Sequence, residues 1–115
     1  MIQIKRVYLK PEKTDGFRIL VDRLWPRGLT KARAHVDLWL KEIAPSDALR
    51  KSFHASDDWP EFEKRYRKEL QDKTNLLAEI KKLEKQRKKV TLLFGRNDQR
   101  QNQAVILAEI LKGKQ

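Results

Sequence analysis

Two short polar clusters hold the residue types best suited to chemistry in this chain. One is Asp22-Arg23 with Arg27; the other is Arg96-Asn97-Asp98 with Asn102 one helical turn further on. An arginine presents a planar fork of donors that grips a phosphate or carboxylate through two hydrogen bonds at once. Arg23, Arg27 and Arg96 are therefore candidate anion-binding residues, with Asn97 and Asn102 beside them. Asp22 and Asp98 are the candidate catalytic groups, because a carboxyl with a raised pKa moves protons as a general acid or base. Each has a plainer alternative. Asp22-Arg23 also suits a structural ion pair at a strand end, and Asp98 or Asn102 a helix cap. Trp25 sits among the arginines, either as a core ring or as a wall for a ligand.

Other chemistries find no residues. With zero cysteines there is no disulfide, thiol nucleophile or thiolate metal site. His35 and His54 have no partner at metal-ligand spacing, so no metal site and no cofactor is expected. The four glycines form neither a phosphate-binding loop nor a dinucleotide fingerprint, and no nucleophile elbow occurs. Ser46, Ser52 and Ser56 read as helix-cap or surface residues.

The elements that must position the clusters follow from periodicity. Ile2, Ile4 and Val7 among polar residues suggest a half-buried strand, and Phe17 to Val21 a second. Pro26 and Gly28 make 22–28 an ordered extended loop. Val90-Thr91-Leu92-Leu93-Phe94 has no polar face, the pattern of a strand covered on both sides. Val36, Trp39, Leu40 and Ile43 fall on one helical stripe that ends before Pro45. Ser46 opens a helix carrying Leu49 and Phe53, and Asp58 with Pro60 and Glu61 opens another carrying Phe62, Tyr66 and Leu70. Leu76, Leu77, Ile80 and Leu83 mark a further helix. A last one, following Asp98, turns Ala104, Leu107, Ala108 and Leu111 inward. Strand, helices, strand, helix is an α/β pattern: one domain over 1–112 with a small, mainly parallel sheet flanked by helices, and a loose tail at 113–115. In such a sheet ligands bind beyond the carboxyl ends of the strands, where both polar clusters are expected.

The chain's 115 residues suit one core, and no apolar run approaches the ~18 residues of a membrane span. A cytoplasmic protein without membrane association is the expectation. The net charge is +11, unevenly spread: residues 1–33 carry nine Lys and Arg against three Asp and Glu, residues 34–60 three against five. Residues 61–89 carry eleven against six, many of them lysines on one helix. Such an excess favours a polyanionic partner, or is simply a solvated face.

The segment Asp22-Arg23-Leu24-Trp25-Pro26-Arg27-Gly28-Leu29 resembles the YeaO-like proteins, a branch of the domain of unknown function 488 family. So do Lys41 to Ser46 after Trp39, the residues Trp59, Phe62, Tyr66 and Glu69-Leu70, Thr91 to Phe94, and Asn102-Gln103-Ala104. The resemblance runs essentially the whole chain. It implies a small α/β, Rossmann-like fold of cytoplasmic bacterial or archaeal type, with no settled activity. The wider family tends to place an Asp-x-Arg after one strand and a Cys-His-Arg-like cluster after another. Asp22-Arg23 and the segment from Asp98 to Asn102 look like the counterparts here, with Gln101 and Asn102 where Cys and His can stand. Thiol or imidazole catalysis at that end is then absent, and any reaction would use Asp22 or Asp98 with the arginines.

Three functions fit. The leading one is anion recognition at the strand ends of a nucleic-acid-associated protein. The others are an enzyme acting on a phosphorylated or anionic small molecule, and an interaction module without a site.

Overall fold

The computed structural model describes residues 1–113; of the expected tail, residues 114 and 115 lie outside the described residues. Gly113 itself is held, its N–H donating to the Ile110 carbonyl at 3.0 Å. Four strands, β1 (Ile2–Arg6), β2 (Phe17–Leu20), β3 (Leu38–Trp39) and β4 (Val90–Phe94), form a wholly parallel sheet in the order β1-β4-β2-β3. β4 lies between β1 and β2, with Val90 level with both Ile2 and Phe17, and all five of its residues are buried. That is why it reads as an unbroken apolar run.

Alternation along the strands sorts side chains onto two faces. Ile2, Ile19, Val21, Val90, Leu92 and Phe94 join the larger core. It is covered by α2 (Asp47–Ser56), α3 (Trp59–Leu70), α4 (Thr74–Arg87) and α5 (Gln103–Leu111). Each large apolar side chain so buried contributes roughly 1.5–3 kcal/mol. The helix starts follow the capping chemistry: Ser46 Oγ accepts from Leu49 N–H at 3.2 Å, and Asp58 Oδ1 from Glu61 N–H at 3.2 Å. Among the described residues no helix is long and apolar enough to cross a membrane.

The other face carries Val7, Leu20 and Leu93 under Trp25, Leu29 and Val36, from the loops on either side of the short helix α1 (Lys31–Ala34), and under Trp39 of β3. It also buries a polar inlay. Thr91 Oγ1 accepts from Gln3 Nε2 at 2.7 Å and donates to the Asp15 carbonyl at 2.5 Å. Buried Arg18 pairs with the Asp15 carboxylate and donates to the carbonyls of His35 and Ala34, each at 2.9 Å. Burial alone would push the Asp15 carboxyl up. The Glu12 N–H, Lys5 and Arg18 more than offset this and hold it below the usual range.

Two expectations need correction. No helix spans Val36 to Ile43: Leu38–Trp39 is the edge strand β3, followed by a single 3-10 turn over Lys41–Ile43. The backbone there completes the sheet, with Asp37 N–H donating to Arg18 O and Leu40 N–H to Leu20 O, each at 2.9 Å. Val36 and Trp39 pack on one face of the sheet and Leu40 and Ile43 on the other, so the apolar residues are split between cores. The last helix starts at Gln103 and not directly after Asp98, because Asn102 is its cap: Asn102 Oδ1 accepts from Val105 N–H at 3.1 Å.

Candidate functional site

β2 and β4 are neighbours running the same way, so Asp22-Arg23 and Gly95-Arg96 leave the sheet side by side. Between them opens a cleft of about 240 Å³. Its floor and one wall are Asp22, Arg23, Arg96, Asn102 and Gln103; the facing wall is Arg50, Phe53 and His54 of α2 with Phe62 of α3. Leu24 and the Ala44-Pro45 turn complete it.

Asp22 splices three elements. Its Oδ2 accepts from Gly95 N–H at 2.8 Å, and its Oδ1 accepts from the Gln103 side-chain amide. The approach favours glycine, because a Cβ at position 95 would stand 2.9 Å from Oδ2 and one of the two would have to shift. Burial raises the Asp22 carboxyl to about 6, while the hydrogen bonds from Gly95 and Gln103 pull it down in part. A carboxyl so placed titrates nearer neutrality than an ordinary aspartate, as a general acid or base does.

The arginines differ in their commitments. Arg23 Nε and Nη2 donate to the carbonyls of Pro45 and Ala44 at 3.0 and 3.2 Å, so this guanidinium braces the wall it lines. The same turn is held from below by Tyr66, whose hydroxyl donates to Ile43 O at 2.7 Å, and by Lys73, which donates to Ala44 O at 3.2 Å. Glu69 accepts from both the N–H and the hydroxyl of Ser46, at 2.9 and 2.6 Å. Burial, with the nearby Glu69 charge, pushes the Tyr66 hydroxyl well above its ordinary value and keeps it a donor. Arg96 lies over the Phe53 ring at 4.5 Å, and its buried Nε has no hydrogen-bond partner among the described residues. Its Nη2 is 3.6 Å from the exposed Asp57 carboxylate, a weak contact. Arg50 is exposed and among the described residues pairs with Asp47 alone, at 3.3 Å.

Of the residues singled out in the sequence, Asp22, Arg23, Arg96 and Asn102 come together in the cleft. Arg27, Asn97, Asp98 and Trp25 do not line it. Asp98 Oδ1 accepts from the N–H groups of Arg100 and Gln101 at 2.9 and 3.0 Å, closing a turn whose hydrogen bonds hold its carboxyl below the usual range. Trp25 takes the core alternative, edge-on to Trp39 at 5.4 Å with its indole donating to Leu29 O at 2.7 Å. Asn97 and Arg27 are exposed. Arg50, His54, Phe53, Phe62 and Gln103 are the additions that sequence reasoning missed. Arg50 and His54 stand four apart on one helix, but only the packing of α2 over the strand ends makes that spacing meaningful. Among the described residues no three His, Asp or Glu side chains gather as a metal site would need.

The model of a family described as the inactive DUF488-N3 subclade matches residues 1–115. The chain is 44% identical over 115 residues to the uncharacterized protein YeaO of Escherichia coli (strain K12), covering 96% of each. It is 38% identical over 114 residues to the uncharacterized proteins Mb3100c of Mycobacterium bovis and Rv3073c of Mycobacterium tuberculosis, covering 98% of this chain and 95% of each relative. No solved structure matches.

Proposed function

We propose that this chain, which belongs to the inactive DUF488-N3 subclade, is a binding protein whose cleft recognises a phosphate-bearing ligand, with nucleic acid the favoured source of the phosphate. The observation that carries this reading is the lining itself: three guanidinium groups, Arg23, Arg50 and Arg96, with His54, against the single carboxyl of Asp22. In a concave site such an excess of one charge favours an anion. At about 240 Å³ the cleft is smaller than a drug-sized site of roughly 300–1,000 Å³. It suits a phosphate and its immediate attachment, with Phe53, Phe62 and Leu24 receiving the apolar part. The net charge of +11 supports nucleic acid as the source, since each neutralised phosphate releases counterions.

The test is calorimetric titration with inorganic phosphate and a nucleoside monophosphate. It is paired with anisotropy titration of labelled single-stranded DNA, duplex DNA and RNA at two salt concentrations. Binding is expected to weaken with salt, and Arg96→Gln to lose about tenfold in affinity while melting normally. Failure of every phosphate-bearing probe at low salt sinks the reading.

A second reading, turnover of the bound anion, rests on Asp22, whose carboxyl at about 6 lies at the cleft floor. Asp22→Asn would then abolish turnover and spare binding. The family's description as inactive favours recognition alone.

A further inference from the structure

The large apolar side chains left exposed among the described residues are Met1, Tyr8, Leu9 and Leu24. Met1 lies at the amino end of the sheet; the other three follow the carboxyl ends of β1 and β2. Leu24 is already part of the cleft. Tyr8, 40% exposed, does not line the cleft but stands one residue from it: a Cβ on Gly95 would be 2.9 Å from Asp22 Oδ2 and 3.9 Å from Tyr8 Cε2. The tyrosine ring and the cleft floor thus flank the same glycine.

Two arginines hold the ring there. The Arg6 guanidinium lies 4.8 Å from the ring centroid, and Arg6 Nε donates to the Arg96 carbonyl at 3.1 Å. The Tyr8 hydroxyl donates to the Arg27 carbonyl at 2.9 Å. Arg27 is exposed, and its guanidinium makes no hydrogen bond or ion pair among the described residues. A surface aromatic ring with one cation stacked on it and a second, exposed arginine bonded to its hydroxyl through the backbone, near a phosphate-sized cleft, is a combination suited to single-stranded nucleic acid.

We propose that Tyr8, with Arg6 and Arg27, is a stacking platform for an unpaired nucleobase, so that the cleft's ligand is a single strand. The inference rests on the phosphate reading above and narrows it. In a duplex the bases are stacked on one another and their faces are unavailable to a protein ring; in a single strand each base offers one. A phosphate next to the stacked base can then reach the cationic cleft, and the exposed Arg27 is available to a neighbouring one.

The experiment measures binding of short labelled single-stranded and duplex oligonucleotides, and of inorganic phosphate, to wild type, Tyr8→Ala and Tyr8→Phe. Thermal melting accompanies each variant. Tyr8→Ala should weaken single-strand binding about fivefold or more, the usual effect of losing one aromatic–base stack. Tyr8→Phe keeps the ring without the Arg27 contact and should bind as wild type, which separates stacking from any loosening of the loop. Phosphate binding should be unchanged in both. If Tyr8→Ala binds the single strand as wild type does, or if duplex binds wild type as tightly as single strand, the platform is overturned and the phosphate cleft stands. If phosphate binds and no oligonucleotide does, the platform alone falls. If neither binds, both fall.

Discussion

Asp22 and Gly95 meet at the carboxyl ends of neighbouring strands although 73 residues separate them, the Gly95 N–H donating to Asp22 Oδ2 at 2.8 Å. Gln103, at the start of α5, donates to the other oxygen of the same carboxylate. One side chain therefore ties two strand ends and a helix start together and forms the floor of the cationic cleft. On the proposed function, structure and recognition would be coupled at this residue.

Gly95→Ala tests that coupling. Its Cβ would stand 2.9 Å from Asp22 Oδ2, so the carboxylate or the chain leaving β4 must move. Chemical denaturation should show a loss of about 1–3 kcal/mol. Phosphate affinity should fall as well, because Arg96 follows directly. A variant as stable and as tight-binding as wild type would show that the splice is slack.

Asp22 also gives a signed pH dependence. Its carboxyl rises from 3.8 to about 6 on folding, chiefly through burial. Between those values the folded protein holds a proton that the unfolded chain has released. The stability this group contributes is then full below about pH 4 and lost as pH rises through about 6. Asp22→Asn keeps an acceptor for Gly95 and removes the titration. Relative to wild type it should gain on the order of 1–3 kcal/mol between pH 4 and 7. Urea unfolding of both proteins across that range measures the difference directly, with other titrating groups cancelling. A constant difference would contradict the placement of this carboxyl.

Tyr66→Phe removes the hydroxyl that donates to the Ile43 carbonyl at 2.7 Å in a fully buried position. Leaving that carbonyl without its partner should cost about 1–3 kcal/mol. The adjoining Ala44 and Pro45 line the cleft, so ligand affinity should drop in the same variant. Denaturation and calorimetry on one preparation read both effects, and a loss of stability without any loss of affinity would mean that Arg23, Lys73 and Glu69 suffice to hold the turn.

Gly16 and Gly28 separate steric from conformational constraint. Both have positive φ, +67° and +85°. A Cβ on Gly16 would come 2.5 Å from the Lys89 carbonyl, which accepts the Phe17 N–H at 3.0 Å, whereas among the described residues nothing lies within 4 Å of one on Gly28. Gly28→Ala should therefore cost about 1 kcal/mol from backbone strain alone. Gly16→Ala should cost at least about twice that, since the sheet contact must also give way. Equal melting temperatures for the two variants would refute the distinction.

The parts of the fold legible in the sequence are those set by neighbours in the chain. Ser46 and Asp58 cap their helices through N–H groups three residues away, and β4 shows its double burial in five consecutive residues. Asp22, Arg23, Arg96 and Asn102 could be placed near one another because parallel strands leave a sheet at the same edge. Leu38–Trp39 could not be read correctly, since the hydrogen bonds that make it a strand come from Arg18 and Leu20, about twenty positions earlier. The same holds for Arg50 and His54: their residue types are ordinary for an exposed helix face until α2 is laid across the strand ends.

By itself, the sequence determined the α/β class, the apolar strand at the centre of the sheet, the helix starts and the basic excess. All depend on periodicity, capping and composition, which act over a few residues or over the chain as a whole. Tertiary structure alone decided which arginines share a cleft, that Asp22 is partly withdrawn from water, that Trp25 turns into a core and that Tyr8 stays out of one. Those outcomes depend on which surfaces a side chain meets once the chain has closed on itself, because burial and charge proximity raise or lower a group's energy through partners far away in sequence.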